Sequence, residues 1–242
     1  MLLHNAPLFE IYFGSAKDEL PKNVHLNVPA DKPLLQLEPF SHLKKMMPLE
    51  HLLFVKQVHG TDGLVITQDN VEDAQPFVQE GDYLSTNVPC VGIGVLTADC
   101  MPIVFYDSRQ GAVSVVHAGW RGSVAGIARI ALERMQQEFD TEIENVKIFF
   151  GPSAKSCCYE VSHDFVNNLD AYPFSQDVLI SQSDKLFFDV PAFNRLILES
   201  MGVRRESFRF EYNLCTMCDE TFFSHRRDGQ RAGRQMTVIC LK

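Results

Sequence analysis

Between residues 52 and 150 the apolar positions fall in short runs bounded by Gly, Pro and Asp rather than at helical spacing. Leu52–Val55 and Leu64–Ile66 lie on either side of His59-Gly60-Thr61-Asp62-Gly63 and predict two strands around a turn. Cys90–Leu96 and Ile103–Tyr106 predict strands flanking Thr97-Ala98-Asp99-Cys100-Met101-Pro102. Ala112–Val116 predicts a strand ending on His117, and Val146–Phe150 one closed by Gly151-Pro152. The period changes after residue 123. Val124, Ile127, Ala128, Ala131, Leu132 and Met135 share one helical face, with Arg129, Glu133 and Gln136 opposite, which predicts a helix from Ser123, as N-cap, to about Phe139. A second helix starts at Asp189 as N-cap, carries Pro191 in its first turn, buries Phe193, Leu196, Ile197 and Met201, and stops at Gly202. Residues 14–50, rich in Pro, Lys and Asp, read as long surface connections. Strands outnumber helices without strict alternation, so the pattern predicts an α+β fold with mixed sheets rather than a doubly wound one. No repeat or linker divides residues 1–242, which read as one domain.

Composition adds mainly exclusions. The 45% hydrophobic and 22% charged fractions are those of a globular protein with a real core. A formal charge of −9 argues against nucleic acid or anionic membrane as the main partner, since both would repel it. The N-terminal residues do not form a signal peptide, and no apolar run is long enough to span a bilayer. Seven scattered cysteines do not suggest a disulfide framework, so the expected location is cytoplasmic.

Three segments place metal-competent side chains where an apolar strand gives way to Gly, Asp or Pro: His59, Cys100 and His117. Two imidazoles and a thiolate, with a fourth position open, are the ligand set of a catalytic zinc. Spacing alone points rather to a buried cysteine and two histidines bonded to backbone carbonyls, and it is the strand-end context that favours the metal. After His117, Gly119-Trp120-Arg121-Gly122-Ser123 leads into the helix and offers either an anion site with Arg121 or an ordinary cap. Arg226, Arg227, Arg231 and Arg234 make a local basic excess in an acidic chain, suited to phosphate or simply to solvent. Cys215-Thr216-Met217-Cys218 has no second C-x-x-C to complete a zinc ribbon, because Cys157 and Cys158 are adjacent, and it reads as structural or incidental. No H-x-H pair occurs among the eight histidines, so the ligands of a multicopper oxidase are missing.

Taken together, several blocks resemble the YfiH-type, or laccase-domain, family. They are Val58-His59-Gly60, Gly81-Asp82, Leu96 to Pro102, Val116 to Gly122, Phe150-Gly151-Pro152 with Tyr159-Glu160-Val161, Cys215-Thr216, and Phe222 to Arg227 followed by Gly233-Arg234. The resemblance runs from about residue 55 to the C-terminus. It implies a four-layer α/β/β/α sandwich with mixed sheets, of laccase-domain or toxin-deamidase-like type. It also implies one zinc held by His59, Cys100 and His117. The implied chemistry is phosphorolysis of adenosine, inosine, guanosine and methylthioadenosine, and deamination of adenosine, with purine nucleosides and phosphate as partners. Two family segments depart from the pattern here: Ser15-Ala16-Lys17-Asp18 stands where S-x-R-G-G is usual, and Leu26-Asn27-Val28-Pro29 where L-N-L-G is usual.

The expected site is therefore Asp99, Cys100, His117 and Arg121 as catalytic residues, with Arg226, Arg234 and Asn27 holding phosphate or substrate and Lys17 as a further cation. Asp99, Asp82 and Glu160 are the carboxylates placed to move protons. The competing readings are a cysteine hydrolase or deamidase with a Cys100–His117 dyad, the polyphenol oxidase of the older family label, and a zinc- or nucleoside-binding regulatory protein.

Overall fold

The structure is a computed structural model, and residues 2–29 and 32–242 are described. A five-stranded sheet has the order β1-β2-β14-β6-β3, formed by β1 (Leu2–Asn5), β2 (Phe9–Phe13), β3 (His51–Phe54), β6 (Val91–Thr97) and β14 (Gln235–Leu241). A six-stranded sheet has the order β13-β9-β7-β8-β5-β4. Its strands are β4 (Gly63–Ile66), β5 (Tyr83–Thr86), β7 (Met101–Asp107), β8 (Ala112–Ala118), β9 (Val146–Phe150) and β13 (Phe208–Arg209). Both are mixed: β3–β6, β4–β5 and β9–β13 pair parallel, the other neighbours antiparallel. A small third sheet joins β10 (Glu160–Val161), β11 (Leu179–Gln182) and β12 (Lys185–Phe188).

The two large sheets pack face to face, and strand periodicity sets what lies between and outside them. On β7, Met101, Ile103 and Phe105 point to the helical side, whereas Val104 and Tyr106 point into the space between the sheets. On β14, Ile239 and Leu241 fill that same space, whereas Met236, Val238 and Cys240 face the opposite outer layer. Strands buried on both faces read as continuous apolar runs instead of alternating ones. Phe9–Phe13 and Gln235–Leu241, which the pattern does not single out, supply central strands of the five-stranded sheet.

Two expectations are corrected on this frame. Leu52–Val55 and Leu64–Ile66 do not pair around a turn: β3 belongs to one sheet and β4 to the other. The segment 55–62 is a crossover between sheets, as is 98–100 between β6 and β7. Within 14–50, the described residues are not all surface connections. Their short 3-10 turns bury Leu34, Leu35, Phe40, Leu43 and Met47 against the five-stranded sheet and form the fourth layer.

The opposite outer layer is helical. The helix expected from Ser123 is two helices, α1 (Trp120–Val124) and α2 (Ile127–Phe139), broken at Gly126, whose φ of 85° suits glycine. Gly119 rather than Ser123 is the N-cap. Ser123 is fully buried, and its Oγ accepts a 2.9 Å hydrogen bond from Asn194 Nδ2. Asn194 lies on α3 (Val190–Ser200), capped as expected by Asp189, whose carboxylate accepts from Ala192 N at 2.9 Å. On that helix Leu198 is fully buried, whereas Leu196 and Met201 are only partly covered. Asn194 therefore ties α1, and with it Gly119 at its N-cap, to the helical layer. Among the described residues no helix is long and apolar enough to cross a membrane. A last short helix, α4 (His225–Asp228), precedes β14.

Candidate active site

The two crossovers and the end of β8 meet at one edge of the sandwich. His59 comes from the first crossover, Cys100 from the second, and His117 from β8, where it sits opposite Pro102 of β7. Their donor atoms all lie within 4.8 Å of one another, with Cys100 Sγ 3.8 Å from His59 Nε2. The imidazoles of His59 and His117 are nearly perpendicular, 4.7 Å apart at 81°. Gly119 allows this convergence, because a Cβ there would stand 3.0 Å from Cys100 Sγ and 3.1 Å from His59 Cδ2.

Asp82 organises the centre. Fully buried just before β5, it is 2.7 Å from His117 Nδ1 through Oδ1. Its carboxylate also accepts from the backbone N–H groups of Val58 (3.3 Å), His59 (3.0 Å) and Gly60 (2.6 Å). These bonds hold His59 in the left-handed region at φ 63°. They also fix the His117 tautomer, turning Nε2 towards the thiol. The electrostatics agree. Burial opposes ionisation of Cys100, but His117 and His59 outweigh it and bring the thiol down to about 6. Burial likewise opposes protonation of His117, but the Cys100 thiolate and Asp82 outweigh it and raise the imidazole to about 9. Both shifts favour the thiolate and the imidazolium, from which a cation would displace one proton.

Two clefts share His59, Ala98, Cys100 and His225 in their lining. The larger, about 440 Å³, also takes in Lys22, His25, Gln57, Phe77, Leu96 and Arg234. The smaller, about 190 Å³, takes in Asp99, Trp120, Arg121, Tyr159 and Arg226. Arg121 lies 4.3 Å over the Trp120 ring and Arg226 4.6 Å over the Tyr159 ring, so both guanidinium groups are held by aromatic faces. Arg226 Nη1 also donates to the Glu160 carbonyl at 3.0 Å.

The expected residues separate accordingly. Asp99, Cys100, His117, Arg121 and Arg226 come together, whereas Arg234 lies across the centre in the larger cleft, donating to the carbonyls of Ala232 and Gly233. Arg227 is a structural tie to Asp228 and to the Thr216 and Phe222 carbonyls. Lys17 opens on a separate cleft with Tyr12, Asp18, Glu38 and His42, whereas Lys22 and Lys56 line the larger cleft beside the centre. The Asn27 side chain lies outside the described residues. Of the three carboxylates, Glu160 is exposed and paired with Lys185 at 2.7 Å, and Asp82 is committed to His117. Asp99 alone of them lines a cleft; it accepts from Thr216 Oγ1 and the Arg226 N–H, both at 2.7 Å. Sequence reasoning gave no place in the site to Gln57, His25, Phe77 and His225. Gln57 has a legible role: its amide exchanges two hydrogen bonds with the Leu96 backbone and locks the first crossover to β6.

The family profile described as multi-copper polyphenol oxidoreductase laccase matches residues 23–242. The chain belongs to this laccase-domain family. A purine nucleoside phosphorylase of Clostridium acetobutylicum is 27% identical over 236 residues, covering 97% of this chain and 92% of its own. An adenosine deaminase from an unknown prokaryotic organism is 34% identical over 202 residues, covering 80% and 76%. The crystal structure of YlmD from Geobacillus stearothermophilus superposes with a TM-score of 0.73 at 31% identity, over 84% of this chain and 77% of that one. A Neisseria meningitidis structure covers 100% of this chain with a TM-score of 0.74 at 24% identity, a likeness of fold. The laccase-domain blocks of the sequence are the segments that converge here: Val58–Gly60, Thr97–Pro102 and Val116–Gly122.

Proposed function

We propose that this laccase-domain protein is a zinc-dependent purine nucleoside enzyme of the cytoplasm, formed by residues 1–242 as one domain. It would cleave adenosine, inosine, guanosine and methylthioadenosine with phosphate and deaminate adenosine to inosine. The observation that supports the reading is that His59 and Cys100, two of three donors able to hold an ion, line both a cleft of about 440 Å³ and a smaller one that carries Arg121 and Arg226. His59, Cys100 and His117 fit zinc because they offer two nitrogens and a thiolate held by a buried carboxylate, and leave a fourth position free. When bound, the ion supplies Lewis-acid polarisation at the shared wall.

The chain's own residues account for the rest. The larger cleft is within the volume range of small-molecule sites, and Phe77, His25 and Leu96 give it an apolar and aromatic wall for a purine. The smaller cleft suits an anion. Arg121 and Arg226, braced on Trp120 and Tyr159, hold phosphate towards C1′ of the ribose. In phosphorolysis a phosphate oxygen bonds to C1′ while the C1′–N9 electron pair leaves with the purine. Asp99, next to Cys100 in sequence and lining the smaller cleft, would carry the proton that moves between water and the amino group in deamination.

Adenosine should yield adenine and ribose 1-phosphate only when phosphate is supplied, and inosine without it. Arg121→Ala or Arg226→Ala should raise the apparent KM for phosphate by roughly 10–150-fold, the loss of one charge-assisted bond, with less effect on deamination. Arg234→Ala should act on the nucleoside KM instead. Normal phosphate dependence in both smaller-cleft variants would refute the placement. Absence of either product from metal-loaded protein would refute the activity.

One feature favours a second reading: Asp82, His117 and Cys100 form the sequence of contacts found in cysteine hydrolases. A nucleophilic Cys100 would be alkylated quickly in metal-loaded protein, with activity lost in step. A ligand Cys100 would be labelled only after chelation.

A further inference from the structure

The C-x-x-C without a partner in the sequence has one in the fold. The turn at Lys155–Cys158 lies against the turn at Cys215–Cys218, and all four sulfurs, Cys157, Cys158, Cys215 and Cys218, lie within 4.8 Å of one another. Cys158 Sγ is 3.0 Å and Cys157 Sγ 3.6 Å from Cys218 Sγ. Four thiolates at the corners of a tetrahedron around zinc, with bonds of about 2.3 Å, stand about 3.8 Å apart. The separations, from 3.0 Å up to a bound of 4.8 Å, bracket that spacing. We propose that these four cysteines form a second zinc site, closed by protein on all four sides and therefore structural.

Three observations support a built site rather than chance proximity. The two turns are fixed to each other independently of the sulfurs: Ser153 N donates to Leu214 O and Thr216 N to Ser153 O, each at 3.0 Å. Lys155 Nζ donates to Asn213 O at 3.1 Å, and Asn213 Nδ2 to Gly151 O at 2.7 Å. Within the first turn, Cys158 N and Tyr159 N both donate to Lys155 O, a tight curl that turns the adjacent Cys157 and Cys158 towards the same partner. All seven cysteines are free, and Cys157 and Cys218 are exposed, so an ion has a path in. Four soft sulfur donors select zinc or iron over hard cations, and zinc needs no redox partner.

The location gives the site a role. The first turn leads directly into Tyr159, on which Arg226 is stacked, and Glu160, whose carbonyl holds the same arginine. The second carries Thr216, which holds Asp99. An ion clamping the two turns would keep both walls of the smaller cleft in register. It is a positioning device, and its occupancy does not depend on the identity of the substrate.

Full-length protein purified anaerobically without added metal should carry two equivalents of zinc. Cys100→Ala should carry one, Cys215→Ser/Cys218→Ser one, and the combined variant none. Because the double variant could fold poorly, Cys157→Ser serves alongside it: the exposed position is removed, and the second equivalent should pass to a chelator that leaves wild-type protein loaded. Cobalt substituted into Cys100→Ala should show thiolate charge transfer of a four-sulfur site. One equivalent in wild type that survives in Cys157→Ser and disappears in Cys100→Ala would overturn the second site while sparing the first. Iron in place of zinc, or native mass spectrometry showing Cys157 or Cys158 disulfide-bonded to Cys215 or Cys218, would also overturn it.

Discussion

Replacing Asp82 by Asn tests how the centre is held. The substitution keeps shape and burial but turns one of two acceptor oxygens into a donor. Oδ1 faces His117 Nδ1 at 2.7 Å and His59 N at 3.0 Å; Oδ2 faces Gly60 N at 2.6 Å and Val58 N at 3.3 Å. With its NH2 group towards His117, the amide makes Nδ1 an acceptor and drives the ring proton to Nε2, the nitrogen that must be free to bind metal. In the opposite orientation the NH2 group meets two backbone donors, and the turn that holds His59 at positive φ has to move. Either way one of two imidazole ligands is spoiled. Loss of such a supporting bond reduces metal affinity by about 10–100-fold, or about 1.4–2.8 kcal/mol. The assay is zinc competition against a chromophoric chelator, with far-UV circular dichroism as the control for folding. An affinity within about threefold of wild type would refute the argument, since that is under 1 kcal/mol and leaves no role for the buried carboxylate.

Gly119→Ala should weaken metal retention while the protein stays folded, because the new Cβ stands 3.0 Å from Cys100 Sγ at ordinary backbone angles; unchanged chelator competition would contradict this. Tyr12, fully buried, donates to Asp18 Oδ1 at 2.5 Å, and burial together with that carboxylate raises its pKa above the ordinary 10.0. A raised folded-state pKa gives stability that is complete below the unfolded value and lost as pH climbs above about 10. Tyr12→Phe should therefore cost about 1–3 kcal/mol near neutrality, by leaving Asp18 short of a donor, and should flatten part of the alkaline decline in denaturant unfolding. Parallel pH profiles for the two proteins would refute the assignment.

Legibility followed whether a feature was local. Val146–Phe150 and the Asp189 cap could be read because each depends on neighbours in sequence. Leu52–Val55 and Leu64–Ile66 were legible as strands but not as members of different sheets, since nothing local distinguishes a hairpin from a crossover. Residues 14–50 misread because 3-10 turns have no sustained period, so Leu34, Leu35, Phe40 and Leu43 look scattered although each is buried. At the site, His59, Cys100 and His117 stood out as soft ligands at strand ends. Asp82 could be named but not given its task, because its partner is 35 residues away. The four cysteines were invisible as a group, the two pairs lying 60 residues apart in sequence and in contact only after folding.

The family's oxidase label can be weighed on the same geometry. Two imidazoles and one thiolate are also the equatorial set of a blue-copper centre, so the triad by itself does not decide between copper and zinc. What a blue-copper centre adds is a weak axial ligand, commonly methionine, and what a multicopper oxidase adds is a second cluster of histidines to reduce oxygen. Met101 follows Cys100 directly, but it is fully buried in the core on the helical side and lines neither cleft. Among the described residues, the two groupings of His, Cys, Asp or Glu able to hold an ion are this triad and the four cysteines, and neither has a third histidine. A three-donor set beside two clefts that both carry cationic side chains, Arg234 in the larger and Arg121 and Arg226 in the smaller, instead suits polarisation of a bound anionic or polar substrate, for which a redox-inert ion is sufficient.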